Sequence, residues 1–155
     1  MKIAIVGPGA IGCLIAGLLK IKTKEDVWIY DNLQTRAARL KDSGIKIEGL
    51  SGNHQVKVSI ASDAKEIGLC DFVFICVKSY STEDACKDIK DLVGENTFIV
   101  TLQNGIGNVQ ILDDYFGPEK VIAGITNHGA TLLGAGHVKH AGKGDTIIEI
   151  GRAHV

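Results

Sequence analysis

The chain has 155 residues, of which 45% are apolar and 23% charged, and its formal net charge is −1. That length builds one domain with a real core and is tight for two. Scattered basic residues and the near-zero charge argue against nucleic-acid and anionic-membrane partners, and no apolar run reaches membrane-spanning length.

Lys2 to Val6 is a short apolar run suited to a buried strand. The start, MKIAIVG, lacks the charged region and cleavage site of a signal peptide, so a cytoplasmic location is expected. Leu14, Ile15, Leu18 and Leu19 fall at helical spacing within Ala10 to Lys20. Val27 to Asp31 reads as a second strand. Asn32 is placed to cap a helix whose Leu33, Ala37 and Leu40 share a face, and Gly44 ends it. Residues 45–60 alternate apolar and polar around a Ser-Gly-Asn turn, a hairpin pattern.

Asp71 to Val77 is nearly all apolar, as a strand covered on both faces would be. Ser81 to Val93 reads as a helix opened by a Ser81/Asp84 capping pair. Phe98 to Leu102 is another buried strand, and Asn108 to Phe116 a helix closed by Gly117-Pro118. Val121 to Thr126 is a further strand. The tail supplies two short strands, HVKHA and TIIEIG, around Gly142-Lys143-Gly144. The alternation implies an α/β fold, a doubly wound and mostly parallel sheet with a C-terminal strand pair, forming one domain over 1–155.

Cys13, Cys70, Cys76 and Cys86 form no C-x-x-C pair, and Cys13 and Cys76 sit in apolar stretches as small hydrophobes. His137 and His140 lie in a strand, where i and i+3 point to opposite faces, so no metal site is expected.

The stretch from Gly7 to Gly12, with Pro8, Ala10 and Ile11 between its glycines, is G-x-G-x-x-G in the right setting. A strand precedes it, a helix opens on it, and Asp31 ends the next strand. This is the dinucleotide-binding (Rossmann) fingerprint. Gly7 permits the tight turn, Gly9 lets the backbone approach a pyrophosphate, and Gly12 lets helix pack on strand. The helix N-terminus then offers unpaired N–H groups to the phosphates. Asp31 stands where an acid accepts hydrogen bonds from the adenosine ribose of NAD and repels the extra phosphate of NADP. Arg36 and Arg39, on the next helix, are placed to swing back to such a phosphate. VKSYST, with Lys78, and LQNGIGN, with Asn104, follow later strands at the ligand-binding edge of the sheet.

Together GPGAIG, VKSYST, QNGIG and ITNHGA resemble the ketopantoate reductase (2-dehydropantoate 2-reductase) family, and the tail GHVKHAGKGDTIIEIG resembles the strands that close its nucleotide-binding domain. The resemblance implies reduction of a small keto acid, ketopantoate, to pantoate for pantothenate and coenzyme A. It implies that Gly7, Gly9 and Gly12 form the pyrophosphate turn and that Lys78 contacts the cofactor. It places Asn104 beside nicotinamide and substrate, where it positions them. His128 falls in a segment lining the same cleft, with no catalytic role assigned. Many members carry an arginine just after the second strand to hold the NADP phosphate, whereas this sequence reads Asp31-Asn32. The family therefore points to NADP and the residue to NAD. In the family a helical domain follows, bearing the general acid and the substrate-gripping groups, and this sequence does not contain it. The chain is thus expected to be the cofactor-binding half, inactive alone, with a homodimer left open. Two other readings stay open: another two-domain hydroxyacid dehydrogenase, or a non-catalytic NAD-sensing module.

Overall fold

The computed structural model describes residues 1–105 and 107–149. Seven strands build the main sheet: β1 (Lys2–Val6), β2 (Asp26–Tyr30), β5 (Ser59–Ala61), β6 (Phe72–Ile75), β7 (Phe98–Thr101), β8 (Val121–Thr126) and β11 (Thr146–Ile148). Their order is β11-β8-β7-β6-β1-β2-β5. Every pairing is parallel except the last-formed, where β11 runs antiparallel to β8. A second sheet holds β3 (Ile45–Gly49), β4 (His54–Val56), β9 (Gly129–Gly134) and β10 (His137–Gly142) in the order β4-β3-β10-β9.

Period-2 alternation in β1 divides the core. Ala4 and Val6 face one cluster with Ala64 and Ile67 of α3 (Ala64–Ile67), Ala85 and Cys86 of α4 (Thr82–Asp88), and Leu112 of α5 (Asn108–Phe116). Ile3 and Ile5 face the other, with Cys13, Leu14 and Ala16 of α1 (Ala10–Lys22), Leu40 of α2 (Gln34–Ser43), and Ile45, Ile47 and Val138 of the second sheet. α1 is therefore held between the two sheets. Gly17 permits that closeness, because a Cβ there would stand 2.5 Å from Ile47 Cδ1.

The expected strands at 2–6, 27–31, 71–77, 98–102 and 121–126, and the helices from Ala10 and Asn108, are all present within a few residues. Several details differ. The hairpin ends at Val56, and β5 leaves it to pair with β2 in the main sheet. Asn32 is not a cap: α2 starts at Gln34, and Asp31 Oδ1 instead accepts the Leu33 N–H at 3.1 Å. Ser81 has φ −104° and ψ 4°, which is not the extended backbone a cap requires, and makes no capping bond. That helix stops at Asp88, and a 3-10 turn at Lys90–Leu92 carries Leu92 into the core. The two tail strands form but do not pair with each other. After β8 the chain crosses at Asn127 and His128 into the second sheet, forms the unforeseen β9 and then β10, and returns to the main sheet as β11. Ile106, within LQNGIGN, and the end of TIIEIG lie outside the described residues. Among the described residues no helix is long and apolar enough to cross a membrane.

His140 is 3% exposed, between Ala130 of β9 and Gly49 of β3. Burial, and then His128, hold its pKa below the ordinary 6.5. The unfolded chain thus takes up a proton first as the pH falls, so this contribution is full above about pH 6.5 and declines below it until the folded imidazole titrates. The midpoint of urea unfolding should fall between pH 7.5 and 5. His140→Gln should flatten that fall, and an equally steep fall in the variant would assign it to other groups.

Candidate functional site

The loop after β1 is shaped by three glycines with different reasons to be glycine. Gly7 has φ +101°, and its N–H donates to Tyr30 O at 3.0 Å. A Cβ at Gly12 would stand 2.1 Å from the Gly7 carbonyl oxygen, a backbone atom with no room to yield. Gly9 is unlike both. A Cβ there would meet nothing nearer than Cys76 O at 3.9 Å. The protein itself leaves room for a side chain at Gly9, so the space belongs to something else. α1 opens directly at Gly9 with no side-chain cap and no acid in its first turn, leaving its N-terminal N–H groups and partial positive charge unclaimed.

Two chambers meet at this turn. One, of about 370 Å³, runs between the end of β2 and the start of α4, and is lined by Gly7, Pro8, Asp31, Arg36, Tyr80 and Ser81 among others. The second, of about 380 Å³, lies towards β7 and includes Ala10, Ile11, Leu102, Gln103, Asn104 and Ala130. Gly9, Cys76, Val77 and Lys78 line both. The waist between the chambers is therefore formed by the open glycine, the α1 N-terminus and an exposed lysine. Lys78 has no protein partner for its amine among the described residues. Cys76 is a half-buried floor here, its thiol pushed up to about 12 by desolvation, and so remains neutral.

Asp31 lines the first chamber, but its side chain has no exposed surface. Arg36 Nε donates to Oδ2 and Arg36 Nη2 to Oδ1, both at 2.6 Å, while Oδ1 also accepts the Leu33 N–H. The hydrogen bonds it donates to Asp31 raise the Arg36 pKa further. Arg36 retains 41% side-chain exposure and lines the chamber. What faces this end of the cleft is therefore a guanidinium held flat by a buried carboxylate. Arg39 is exposed on α2 and lines neither chamber.

Asn104 is exposed in the second chamber. Its backbone carbonyl accepts Ser79 Oγ at 3.1 Å and Asn108 Nδ2 at 3.2 Å, and among the described residues its side-chain amide has no protein partner. The residue overlooked in the sequence is Gln103. Its Nε2 donates to Val77 O at 2.7 Å and Thr82 Oγ1 at 2.9 Å, and its Oε1 accepts Thr101 Oγ1 at 3.0 Å. Thr82, fully buried, donates on to Asn108 Oδ1 at 3.1 Å. This network fixes the Lys78 loop against the Asn104 loop. Its signal was present as buried polar residues inside VKSYST and LQNGIGN. His128 lines neither chamber. It lies in an adjoining apolar groove with Ile15, Leu18, Phe74 and Thr126, which shares Ile11 and Leu102 with the second chamber.

A strand, a glycine turn and a helix, set at the carboxyl edge of a parallel sheet beside a two-chambered cleft, define a Rossmann-type dinucleotide-binding domain. Compared with known proteins, residues 3–153 match the family model described as ketopantoate reductase PanE/ApbA. The chain belongs to that ketopantoate reductase family. It is 40% identical to the 2-dehydropantoate 2-reductase of Pyrococcus horikoshii over 151 residues, covering 96% of this chain and 47% of the relative. The Aquifex aeolicus enzyme of the same name is 34% identical, with 96% and 46% covered. Among solved structures, 2-dehydropantoate 2-reductase from Geobacter metallireducens superposes with a TM-score of 0.86 at 33% identity, covering 96% of this chain and 49% of that one. A ternary structure of D-mandelate dehydrogenase with NADH and anilino(oxo)acetate gives 0.83 at 27% identity, with 96% and 47% covered. The chain spans about half the length of the curated relatives it matches.

The three glycines should separate on substitution. Gly12→Ala should lower the thermal unfolding midpoint by several degrees, since a clash with backbone has no cheap relief. Gly9→Ala should leave that midpoint within a degree or two, as measured by circular dichroism. Equal losses would mean that the protein, not a ligand, requires Gly9.

Proposed function

We propose that this chain is the cofactor-binding half of a 2-oxo acid reductase that converts ketopantoate to pantoate, a cytoplasmic step supplying pantothenate and coenzyme A. The reading rests on the waist of the cleft, where an open glycine, a helix N-terminus and a free lysine converge between two chambers. That shape suits a dinucleotide: pyrophosphate at Gly9 and Lys78, adenosine beside Arg36, nicotinamide beside Asn104. The nicotinamide supplies the hydride when bound, and the residues of this chain orient it. Asn104 offers an amide to the carboxamide or to the substrate, and the Gln103 network anchors the Asn104 backbone against the Lys78 loop. An NAD-sensing module has no need of a polar group kept free in the second chamber, which favours the reductase reading.

Cofactor choice follows from Arg36. The Asp31 oxygens are enclosed and already bonded, so a ribose hydroxyl reaches them only by displacing the guanidinium. A 2′-phosphate meets that guanidinium already oriented, with the repulsion of Asp31 cancelled. At an effective dielectric near 20, unit charges 4 Å apart interact by about 4 kcal/mol, less where solvent screens an exposed group. The reading is therefore NADPH over NADH. Calorimetry on this chain should give at least a tenfold preference, about 1.4 kcal/mol. Arg36→Ala should abolish the preference while leaving NADH affinity within twofold, and Asp31→Asn should weaken it by freeing the guanidinium. Gly9→Val should abolish binding of both cofactors while the fold persists. Retained binding in that variant would remove the dinucleotide from the cleft.

Catalysis needs a second wall. The groove along α1 is apolar, and Ile125, Ile147 and Ile148 at the sheet edge are 57%, 58% and 43% exposed. In this reading the helical half found in the family covers that surface and brings the proton donor and the counter-charge for the carboxylate. Oriented capture of the keto acid supplies much of the rate, so this chain alone should bind NADPH yet show no saturable oxidation of it with ketopantoate. Robust turnover by the 155 residues would overturn the half-enzyme reading.

A further inference from the structure

The β6–β7 ladder ends at the Ile75–Thr101 pair, so the loops carrying Lys78 and Asn104 run on past the end of that pairing. Side chains tie them instead. Gln103 stands half-buried between the loops, and Thr82, Thr101 and Asn108 behind it are at most 3% exposed. Val77 O can only accept, so the Gln103 amide must turn its Nε2 towards it. The second Nε2 hydrogen goes to Thr82 Oγ1, whose own hydrogen goes to Asn108 Oδ1. Asn108 is left with Nδ2 facing Asn104 O, another group that can only accept. Each bond thus has one permitted direction. A reversed amide at Gln103 would set two carbonyl oxygens, its own and that of Val77, against each other.

One side chain therefore fixes two peptides that face the cleft. Gln103 holds the Val77–Lys78 peptide directly, at the point where the Lys78 side chain departs. Through Thr82 and Asn108 it holds the peptide between Asn104 and Gly105. Gly105 has φ +108°, and a glycine there leaves that peptide free to turn over. Two bonds prevent it, because Ser79 Oγ donates to the same Asn104 carbonyl at 3.1 Å. Ser79 opens the 3-10 turn Ser79–Ser81, so this second tie also comes from the Lys78 loop.

We propose that Gln103 is the positioning residue for the whole dinucleotide, holding the Lys78 loop and the Asn104 loop in one register so that both halves of the cofactor engage together; this rests on the dinucleotide reading above. Once one half is bound, the other binds as if from a high local concentration. That gain is largest when the two sites already stand at the spacing of the ligand. Loops that had to be ordered on binding would offset it. Either half alone meets a single loop and is indifferent to the spacing. Gln103 acts through the loops, since its own amide is already bonded to Val77, Thr82 and Thr101.

The test is calorimetry on the full chain with NADPH and with adenosine 2′,5′-bisphosphate, the half that ends at Lys78. Gln103→Met and Thr82→Val keep the volume but break the series. Each should weaken NADPH binding about tenfold while the bisphosphate stays within about threefold. Thr82→Ser restores the hydroxyl and should recover NADPH binding. Equal losses for whole and half, or no loss in Gln103→Met, would overturn the proposal. A serine variant weaker than the valine would also overturn it, by assigning Thr82 to packing. Should the buried valine prevent folding, Gln103→Met carries the comparison. No NADPH binding by the unaltered chain would instead overturn the dinucleotide reading, and amide 15N relaxation would then judge the tie. Asn104 and Gly105 should gain nanosecond motion in Gln103→Met, and unchanged relaxation there would overturn the positioning role.

Discussion

The cleft depends on one close approach, that of the first turn of α1 to the Gly7 carbonyl and the end of β6. A single added methyl at Gly12 would stand 2.1 Å from that carbonyl, and one at Gly7 would stand 2.8 Å from Val77 Cγ1. Because nothing intervenes, the helix N-terminus is held at the carboxyl edge of the sheet, and Cys76 becomes the floor beneath both chambers. The Cys13 thiol donates to Pro8 O at 3.3 Å on the buried side, which fixes the turn from below. The α1 terminus, the Lys78 loop and the Asn104 loop converge only because this contact sets the height of the helix.

The same constraint explains which parts of the molecule were legible in the sequence. Glycines forced by backbone contact carry their reason locally, so the turn, the first strand and the first helix could be read from GPGAIG and its neighbours. β6 and β7 were legible because burial on both faces leaves a nearly unbroken apolar run. The second sheet was not. β9, GATLLG, lacks strict alternation, and its only local cue is the Ala135-Gly136 turn that leads into β10; it is a strand because His140 and Val138 lie beside it, not because of its own composition. Likewise Gly-Lys-Gly resembles a turn between paired strands. The structure uses it as a return path between sheets, with Asn127 N–H donating to Asp145 O at 2.9 Å.

At the site, residue identity was easier to read than residue commitment. Lys78 and Asn104 line the cleft, and among the described residues their side-chain nitrogens have no protein partner. Asp31 also stands in place, yet a neighbour five residues on has claimed both its oxygens. No pattern in the sequence distinguishes a carboxylate waiting for a ribose from one already holding a guanidinium, since Arg36 is compatible with either. Gln103 was passed over for the opposite reason. A glutamine beside Asn-Gly looks like turn chemistry until three partners on two other elements are seen to converge on it.

The second sheet joins segments that are remote along the chain. His137 pairs with Lys46 and Val138 with Ile47, so β3 has no strand on that side until the last fifth of the chain has arrived. Non-local pairings of this kind carry a loop-closure cost before they return any contact energy, which slows folding. Until then the β10 side of Ile45 and Ile47 is uncovered. On the ribosome, the glycine turn and its three central strands can therefore consolidate early. The layer that grips the back of α1 closes last.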